Sequence, residues 1–124
     1  MVGRVLVVED DADIADALTD ILADEGYEVL QAYDGLEALE VLERTTPLPD
    51  VILLDLMMPR LDGGGFRERQ LADPRFQRVP VVVVSADRMV REKAHAMRAA
   101  DCLPKPLDPD CLLRVVARIT QNGA

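Results

Sequence analysis

The chain has 124 residues, of which 49% are hydrophobic and 30% charged, and these values predict one globular domain with a proper core. Its formal net charge of −9 argues against direct binding of nucleic acid or of an anionic membrane. No apolar run approaches the roughly 18 residues of a membrane span, and the two cysteines have neither metal nor redox spacing, which indicates thiols in a reducing cytoplasm.

The first half of the chain alternates predicted strands with predicted helices. Residues 4–8 form an apolar strand, and helically spaced apolar residues follow until Gly26, a favourable helix stop. Residues 27–31 have the half-polar pattern of an edge strand, and a second helix covers residues 36–44. The continuous apolar run at 51–54 predicts a strand buried on both faces. This alternation without tandem strands predicts a parallel, doubly wound sheet of the α/β class.

The second half continues the alternation, although its first helix is weakly indicated. We place that helix at 66–72, because the three glycines at 63–65 disfavour a helical first turn and suggest a mobile loop. Residues 80–84 predict the strongest strand, and a helix at 89–99 follows it.

The last predicted elements are a short strand and a helix. The strand lies around Cys102 and Leu103. Asp108 and Pro109 then begin the helix, as N-cap and first helical residue. Residues 121–124 have the composition of a fraying terminus.

Polar side chains follow four of the predicted strands. Because right-handed crossovers bring the carboxyl ends of parallel strands to the same edge, we expect these side chains to lie together. They are Glu9 and Asp10 after the first strand, Asp55 after the third, Ser85 after the fourth and Lys105 after the last.

This set of side chains has the chemistry of a metal-assisted phosphoryl site. Crowded carboxylates raise the pKa of at least one of their number, and magnesium relieves the crowding at a site of carboxylates, a backbone carbonyl and water. A lysine and a hydroxyl can bind phosphoryl oxygens, and a carboxylate such as Asp55 can accept the phosphoryl group. The alternative is structural: an acidic first helical turn at 9–11, a cap at Ser85 and a solvated Lys105.

Five motifs together resemble the receiver domain of two-component response regulators, of the chemotaxis-regulator-like kind, over essentially the full chain. They are Val5–Asp11, Gly35–Leu39, Leu54–Pro59 with Asp62–Gly63, Pro80–Ala86 and Leu103–Pro106. The resemblance implies a flavodoxin-like fold, a five-stranded parallel sheet in the order 2-1-3-4-5 flanked by five helices. Residues 1–124 would then be a single receiver domain.

The resemblance also implies roles for the residues that meet a phosphoryl group. Asp55 would accept it from a phosphohistidine of a sensor histidine kinase or phosphotransfer protein. Ser85 and Lys105 would bind its oxygens, and a cis peptide bond between Lys105 and Pro106 would help to aim the lysine. Such a domain is a phosphoacceptor rather than an enzyme in its own right, and it signals to a downstream protein target.

The implied metal is Mg²⁺ or Mn²⁺. Asp10, Asp55 and the Met57 carbonyl would bind it directly, and Glu9 would reach it through water. Met57 bears on a second property as well, because its apolar side chain cannot orient a water to attack an aspartyl phosphate. We therefore hypothesise a phospho-form that lasts minutes or longer, although Asp87 could supply part of the missing role.

Cys102 and Arg98 differ from the residues usual in receivers, and both flank the surface that would transmit the signal rather than the phosphorylation chemistry. Cys102 stands three residues before the lysine, where receivers usually carry a Tyr or Phe that swings inward on phosphorylation, so the aromatic switch is in question. Arg98 stands where many relatives have glycine. An arginine there either adopts a left-handed conformation at a cost of about 1 kcal/mol or ends the helix differently. We expect intact phosphorylation with atypical signal transmission.

The predicted fourth helix carries several basic residues. Arg91, His95 and Arg98 fall on one predicted face, with Arg88 one turn earlier. This face is either solvated charge or a docking surface for an acidic partner. His95 has no spacing that connects it to the site, so we do not expect it to be a phosphodonor.

Two other functions remain as alternatives. A phosphatase of the haloacid dehalogenase type also uses a strand-end Asp, a Lys and magnesium, but it needs a second Asp where this chain has Met57. A pseudo-receiver that has lost phosphorylation is opposed by the complete set of site residues, while Cys102 leaves some room for it. Many receivers form a homodimer through the last two helices, but we do not infer one here.

Overall fold

The computed structural model describes residues 3–122 and contains a five-stranded parallel sheet in the order β2-β1-β3-β4-β5. The strands are β1 (Arg4–Val8), β2 (Glu28–Ala32), β3 (Val51–Asp55), β4 (Val81–Ser85) and β5 (Asp101–Pro104). The helices are α1 (Ala12–Asp24), α2 (Gly35–Arg44), α3 (Gly63–Leu71), α4 (Val90–Ala96) and α5 (Pro109–Asn122). The predicted α/β fold, strand order and edge position of β2 are thus confirmed.

Two hydrophobic clusters cover the two faces of the sheet. Side chains of a strand point alternately to opposite faces, so a strand buried on both sides must be apolar throughout. Leu6, Ile52 and Val83 point to the cluster that α2, α3 and α4 complete. Val7 and Leu53 point to the cluster that α1 and α5 complete. This explains why the central strands read as continuous aliphatic runs.

The predicted start of the third helix was wrong. We expected a mobile loop at 63–65, but these glycines form the first turn of α3, and the Asp62 side chain caps it by accepting from the Gly65 N–H at 2.8 Å. A Cβ atom on Gly63 would stand 2.5 Å from the carbonyl oxygen of Asp55. Glycine is therefore required for the close approach of α3 to β3, which outweighs its poor helix propensity.

The fourth helix is shorter than predicted and ends through Arg98. This residue adopts a left-handed conformation with φ of 56°. The Ala99 N–H donates to the Ala94 carbonyl and the Arg98 N–H to the His95 carbonyl, both at 3.0 Å, which is the hydrogen-bond pattern of a Schellman motif. Of the two endings considered for an arginine here, the left-handed one is present.

A buried arginine of α3 holds this end of α4. Only 6% of Arg67 is exposed. Its guanidinium donates to the carbonyls of Met97 at 3.0 Å and Arg98 at 2.9 Å, and to the Gln70 side chain at 2.7 Å. The Gln70 amide in turn donates to two carbonyls of the loop before β4. Buried polar groups of α3 thereby fix both the end of α4 and that loop.

The last helix begins as predicted. The Asp108 side chain accepts from the Asp110 N–H at 2.9 Å, and Pro109 is the first helical residue. The helix continues through residues 121 and 122, whereas Gly123 and Ala124, for which we also predicted fraying, lie outside the described residues. Within the described range, no helix has the length and apolar character needed to cross a membrane.

Two glycine substitutions should have opposite effects on stability. A Cβ atom on Gly64 meets nothing nearer than the Asp62 side chain at 3.6 Å, so Gly64→Ala should raise the free energy of unfolding by about 0.5 kcal/mol through helix propensity. Gly63→Ala should lower it by about 1–3 kcal/mol, because the methyl group collides with the Asp55 backbone. Urea unfolding of both variants measures the difference, and equal effects would contradict the packing argument.

Removal of the buried arginine should also be costly. Arg67→Met should lower the free energy of unfolding by about 2–4 kcal/mol, because it leaves the carbonyls of Met97 and Arg98 without their donor. Arg69 lies exposed on the same helix, and Arg69→Met is the matched control, with an expected change within about 0.5 kcal/mol. Thermal and urea unfolding test this pair, and similar losses in both variants would show that the Arg67 hydrogen bonds contribute little.

Candidate functional site

The carboxyl edge of the sheet brings all the predicted site residues together. Glu9 and Asp10 directly follow β1, Asp55 is the last residue of β3, and Ser85 is the last residue of β4. Lys105 directly follows β5, and its backbone N–H donates to the carbonyl of Ser85 at 2.9 Å. The parallel arrangement of the strands is the reason that residues so distant in sequence meet here.

Three carboxylates form a compact acidic cluster at this edge. One oxygen each of Glu9, Asp10 and Asp55 lies within 4.8 Å of the others. Glu9 and Asp55 are buried, with exposed fractions of 3% and 5%, whereas Asp10 is exposed. Clustered carboxylate oxygens with an opening to solvent on one side suit a hard cation such as Mg²⁺, which retains several waters. The side chains present therefore fit the metal that the sequence analysis implied.

Lys105 is the cationic member of the site. Its Nζ atom donates to Glu9 Oε1 at 2.7 Å and lies 3.6 Å from Asp55 Oδ2. Burial raises the pKa of the Glu9 carboxyl, the hydrogen bond from Lys105 opposes this shift, and Asp55 reinforces it. Burial alone would lower the pKa of Lys105, but its hydrogen bond to Glu9 and the nearby charge of Asp55 outweigh it and raise that pKa. Lys105 therefore remains an ammonium group at neutral pH.

Ser85 presents a buried hydroxyl to the same edge. Its exposed fraction is 2%, and its Oγ atom accepts from the Asp87 N–H at 3.1 Å. Since a hydroxyl both accepts and donates, its hydrogen remains available to a ligand oxygen. The peptide bond between Lys105 and Pro106 is cis, as the resemblance implied.

Met57 and Asp87 are the two residues that we considered for control of a water attacking the aspartyl phosphate. The Met57 side chain is 73% exposed, and its backbone N–H donates to Asp55 Oδ1 at 3.3 Å. The Asp87 carboxylate accepts from the Met89 N–H at 2.7 Å and pairs with Lys93 at 2.5 Å. Both oxygens of Asp87 thus already accept hydrogen bonds from residues at the start of and within α4.

The basic residues around α4 do not form the single helical face that we predicted. Because α4 spans only Val90–Ala96, Arg88 precedes the helix and the left-handed Arg98 follows it. Arg91 and His95 are exposed on the helix itself. Cys102, at the usual aromatic position, is half-buried and packs against the hydrophobic cluster that contains α4.

The sequence analysis missed an ion pair beside the site. Asp34 is completely buried at the start of α2, and Arg60 in the loop after β3 donates to it at 2.5 Å. Asp34 is the N-cap of α2, a role that the sequence analysis did not assign to it. No sequence pattern pointed to its partner, which is 26 residues away.

Comparison with known proteins agrees with the fold and the site described above. The family model of the response regulator receiver domain matches residues 5–117. The response regulator MprA of Mycobacterium ulcerans is 40% identical over 112 residues, which cover 89% of this chain and 47% of that protein. This chain spans about half the length of the first curated relatives it matches, at 49% and 47%.

Solved structures give the same result. The receiver domain of the Francisella response regulator 1452 has a TM-score of 0.87 at 29% identity, with 98% of this chain and 99% of that chain covered. The receiver domain of the sensor histidine kinase PA1611 from Pseudomonas aeruginosa, with a magnesium ion coordinated in its active site cleft, has a TM-score of 0.86 at 29% identity, with 96% and 98% covered. The similarity does not favour the phosphatase alternative. The chain therefore belongs to the family of response regulator receiver domains, the phosphoacceptor signalling domains of two-component systems.

Proposed function

We propose that Asp55 is the phosphoacceptor of this receiver and that its donor is a phosphohistidine of a sensor histidine kinase or phosphotransfer protein. The observation that carries the proposal is the position of Asp55, a buried carboxylate that lies 3.6 Å from the Lys105 ammonium and has an oxygen within 4.8 Å of the Asp10 and Glu9 carboxylates. Within residues 3–122, no other group of three or more carboxylate, histidine or cysteine side chains lies close enough together to hold a metal ion.

The side chains around Asp55 have distinct roles in the transfer. An Asp55 oxygen attacks phosphorus while the phosphorus–nitrogen bond to the donor histidine breaks, and the electron pair leaves with the imidazole. The Lys105 ammonium has three donors and uses one on Glu9, so others can bind a phosphoryl oxygen. The Ser85 hydroxyl donates to a second oxygen. Both groups stabilise charge that spreads over the phosphoryl oxygens in the transition state.

Asp10, Asp55 and the Met57 carbonyl would bind Mg²⁺ or Mn²⁺ directly, and Glu9 through water. When bound, the metal would neutralise the carboxylates and part of the phosphoryl charge. The buried positions of Glu9 and Asp55 support this assignment, because two buried carboxylates are costly without cations. The downstream target and the absence of direct nucleic-acid contact stay predictions.

Phosphorylation at Asp55 can be tested by mass. Incubation with acetyl phosphate and Mg²⁺ should add one phosphate, about 80 Da, to the wild type and nothing to Asp55→Asn, because an amide cannot act as the nucleophile. Asp20→Asn, which changes an exposed aspartate of α1, is the matched control and should be phosphorylated normally. An unmodified wild type with confirmed Mg²⁺ binding would support the pseudo-receiver alternative.

The lifetime of the phospho-form should depend on Met57. We expect the wild-type phosphate to last minutes or longer, and Met57→Glu to shorten its half-life by about tenfold, because a carboxylate two residues after Asp55 can orient a water. Met89→Glu adds the same charge to the neighbouring loop, at a methionine that is 52% exposed, and should change the half-life much less. Loss of phosphate is followed by mass after removal of acetyl phosphate, and a wild-type half-life of seconds would refute the hypothesis.

A further inference from the structure

The loop after β3, residues 56–62, carries the Met57 carbonyl and is attached to the turn before α2. The attachment is an ion pair between buried Asp34 and Arg60, with Arg60 Nε 2.5 Å from Asp34 Oδ2. The other Asp34 oxygen accepts from the Glu37 N–H at 2.8 Å. Both oxygens of the carboxylate are therefore engaged, one in capping α2 and one in holding the loop.

Each residue of this ion pair bears an energetic cost, Asp34 through burial and Arg60 through its backbone conformation. The side chain of Asp34 has no exposed surface, whereas that of Arg60 is 52% exposed. The hydrogen bond from Arg60 lowers the pKa of Asp34 against the opposing effect of burial. Arg60 also has a left-handed backbone with φ of 62°, which costs about 1 kcal/mol for a residue with a Cβ atom. The backbone of Arg60 is thus held in an unfavourable conformation while its side chain reaches Asp34.

Backbone contacts join the same two segments. The Gly35 N–H donates to the Leu61 carbonyl at 2.9 Å, and a Cβ atom on Gly35 would stand 2.5 Å from that oxygen. At the end of the loop, the Gly63 N–H donates to the Leu56 carbonyl at 3.1 Å. The loop is thereby hydrogen-bonded to the turn before α2, and a second hydrogen bond joins its beginning to the start of α3 beside Asp55.

We propose that Asp34 and Arg60 are positioning residues for the metal site, which hold the 56–62 loop in the conformation from which the Met57 carbonyl binds Mg²⁺. The inference rests on the proposed function, because it concerns the same metal site. Neither residue belongs to the acidic cluster, so their effect on the metal is exerted through the loop. Groups that orient metal ligands from outside the coordination shell typically change affinity by one to two orders of magnitude when they are removed.

The experiment measures Mg²⁺ affinity by isothermal titration calorimetry, with thermal unfolding in EDTA as a separate measure of stability. Asp34→Asn keeps an oxygen that can cap α2 but removes the charge that pairs with Arg60. Arg60→Gln removes the charge from the other side. Both variants should bind Mg²⁺ about tenfold more weakly than the wild type. The double variant should lose no more affinity than either single variant, because the residues act as a pair.

Two further variants separate positioning from general effects. Arg60→Lys keeps a positive charge and should retain part of the affinity. Arg75→Gln removes an exposed arginine that pairs with Glu43 and Asp73 outside the metal site, and it should leave Mg²⁺ affinity unchanged. A merely structural role would lower the melting temperature of Asp34→Asn and Arg60→Gln without changing their Mg²⁺ affinity.

The outcomes distinguish this inference from the proposed function. Unchanged affinity in both Asp34→Asn and Arg60→Gln, with normal binding by the wild type, would overturn the inference and leave the phosphoacceptor proposal intact. A wild type that does not bind Mg²⁺ would overturn both the inference and the metal assignment. Equal losses in Arg75→Gln would show a general charge effect and would also overturn the inference.

Discussion

Lys105 contacts two carboxylates that are almost completely buried, and the remaining structure of the site depends on this contact. Its Nζ atom lies 2.7 Å from Glu9 and 3.6 Å from Asp55. Buried carboxylates are strongly destabilising unless a cation is close, so the ends of β1, β3 and β5 must meet at one edge. The parallel register, which pairs Val8 with Leu54 on neighbouring strands, satisfies this requirement. The aliphatic strands therefore supply the rigid positions, and the polar residues at the carboxyl ends of β1, β3, β4 and β5 supply the chemistry.

This division of roles explains how much could be predicted from the sequence. Continuous apolar runs identified the buried strands, and the residues that end them, such as Asp55 and Ser85, identified the site. The start of α3 could not be predicted, because local propensity disfavours glycine in a helix and the contact of Gly63 with the Asp55 backbone is a tertiary effect. The partners of Arg67 and Arg60 could not be predicted either, because an arginine that pairs within the structure and a solvated arginine have the same local sequence pattern.

Besides its apolar packing against the sheet, α4 is connected to the site by polar contacts of Asp87. The Asp87 N–H binds the Ser85 hydroxyl, and the Asp87 carboxylate binds Lys93 of α4. That ion pair is partly exposed to solvent, which screens the attraction between the two charges, so it contributes little to stability. The other end of α4 is held by the buried Arg67, whose guanidinium donates to the carbonyls of both Met97 and Arg98, and such charge-assisted hydrogen bonds from a buried group contribute more. Of these two polar attachments of α4, the one next to Ser85 is therefore the weaker.

The surroundings of Asp55 are held more firmly than a mobile glycine loop would allow. On one side the first turn of α3 packs against the Asp55 carbonyl, at a distance that excludes any side chain on Gly63. On the other side the loop is held to the turn before α2, through a left-handed Arg60 and a fully buried Asp34. A backbone cost of about 1 kcal/mol at Arg60 persists only where the surrounding contacts exceed it. A site that must bind a cation and then a phosphoryl group benefits from such preorganisation, because its ligands are in place before either arrives.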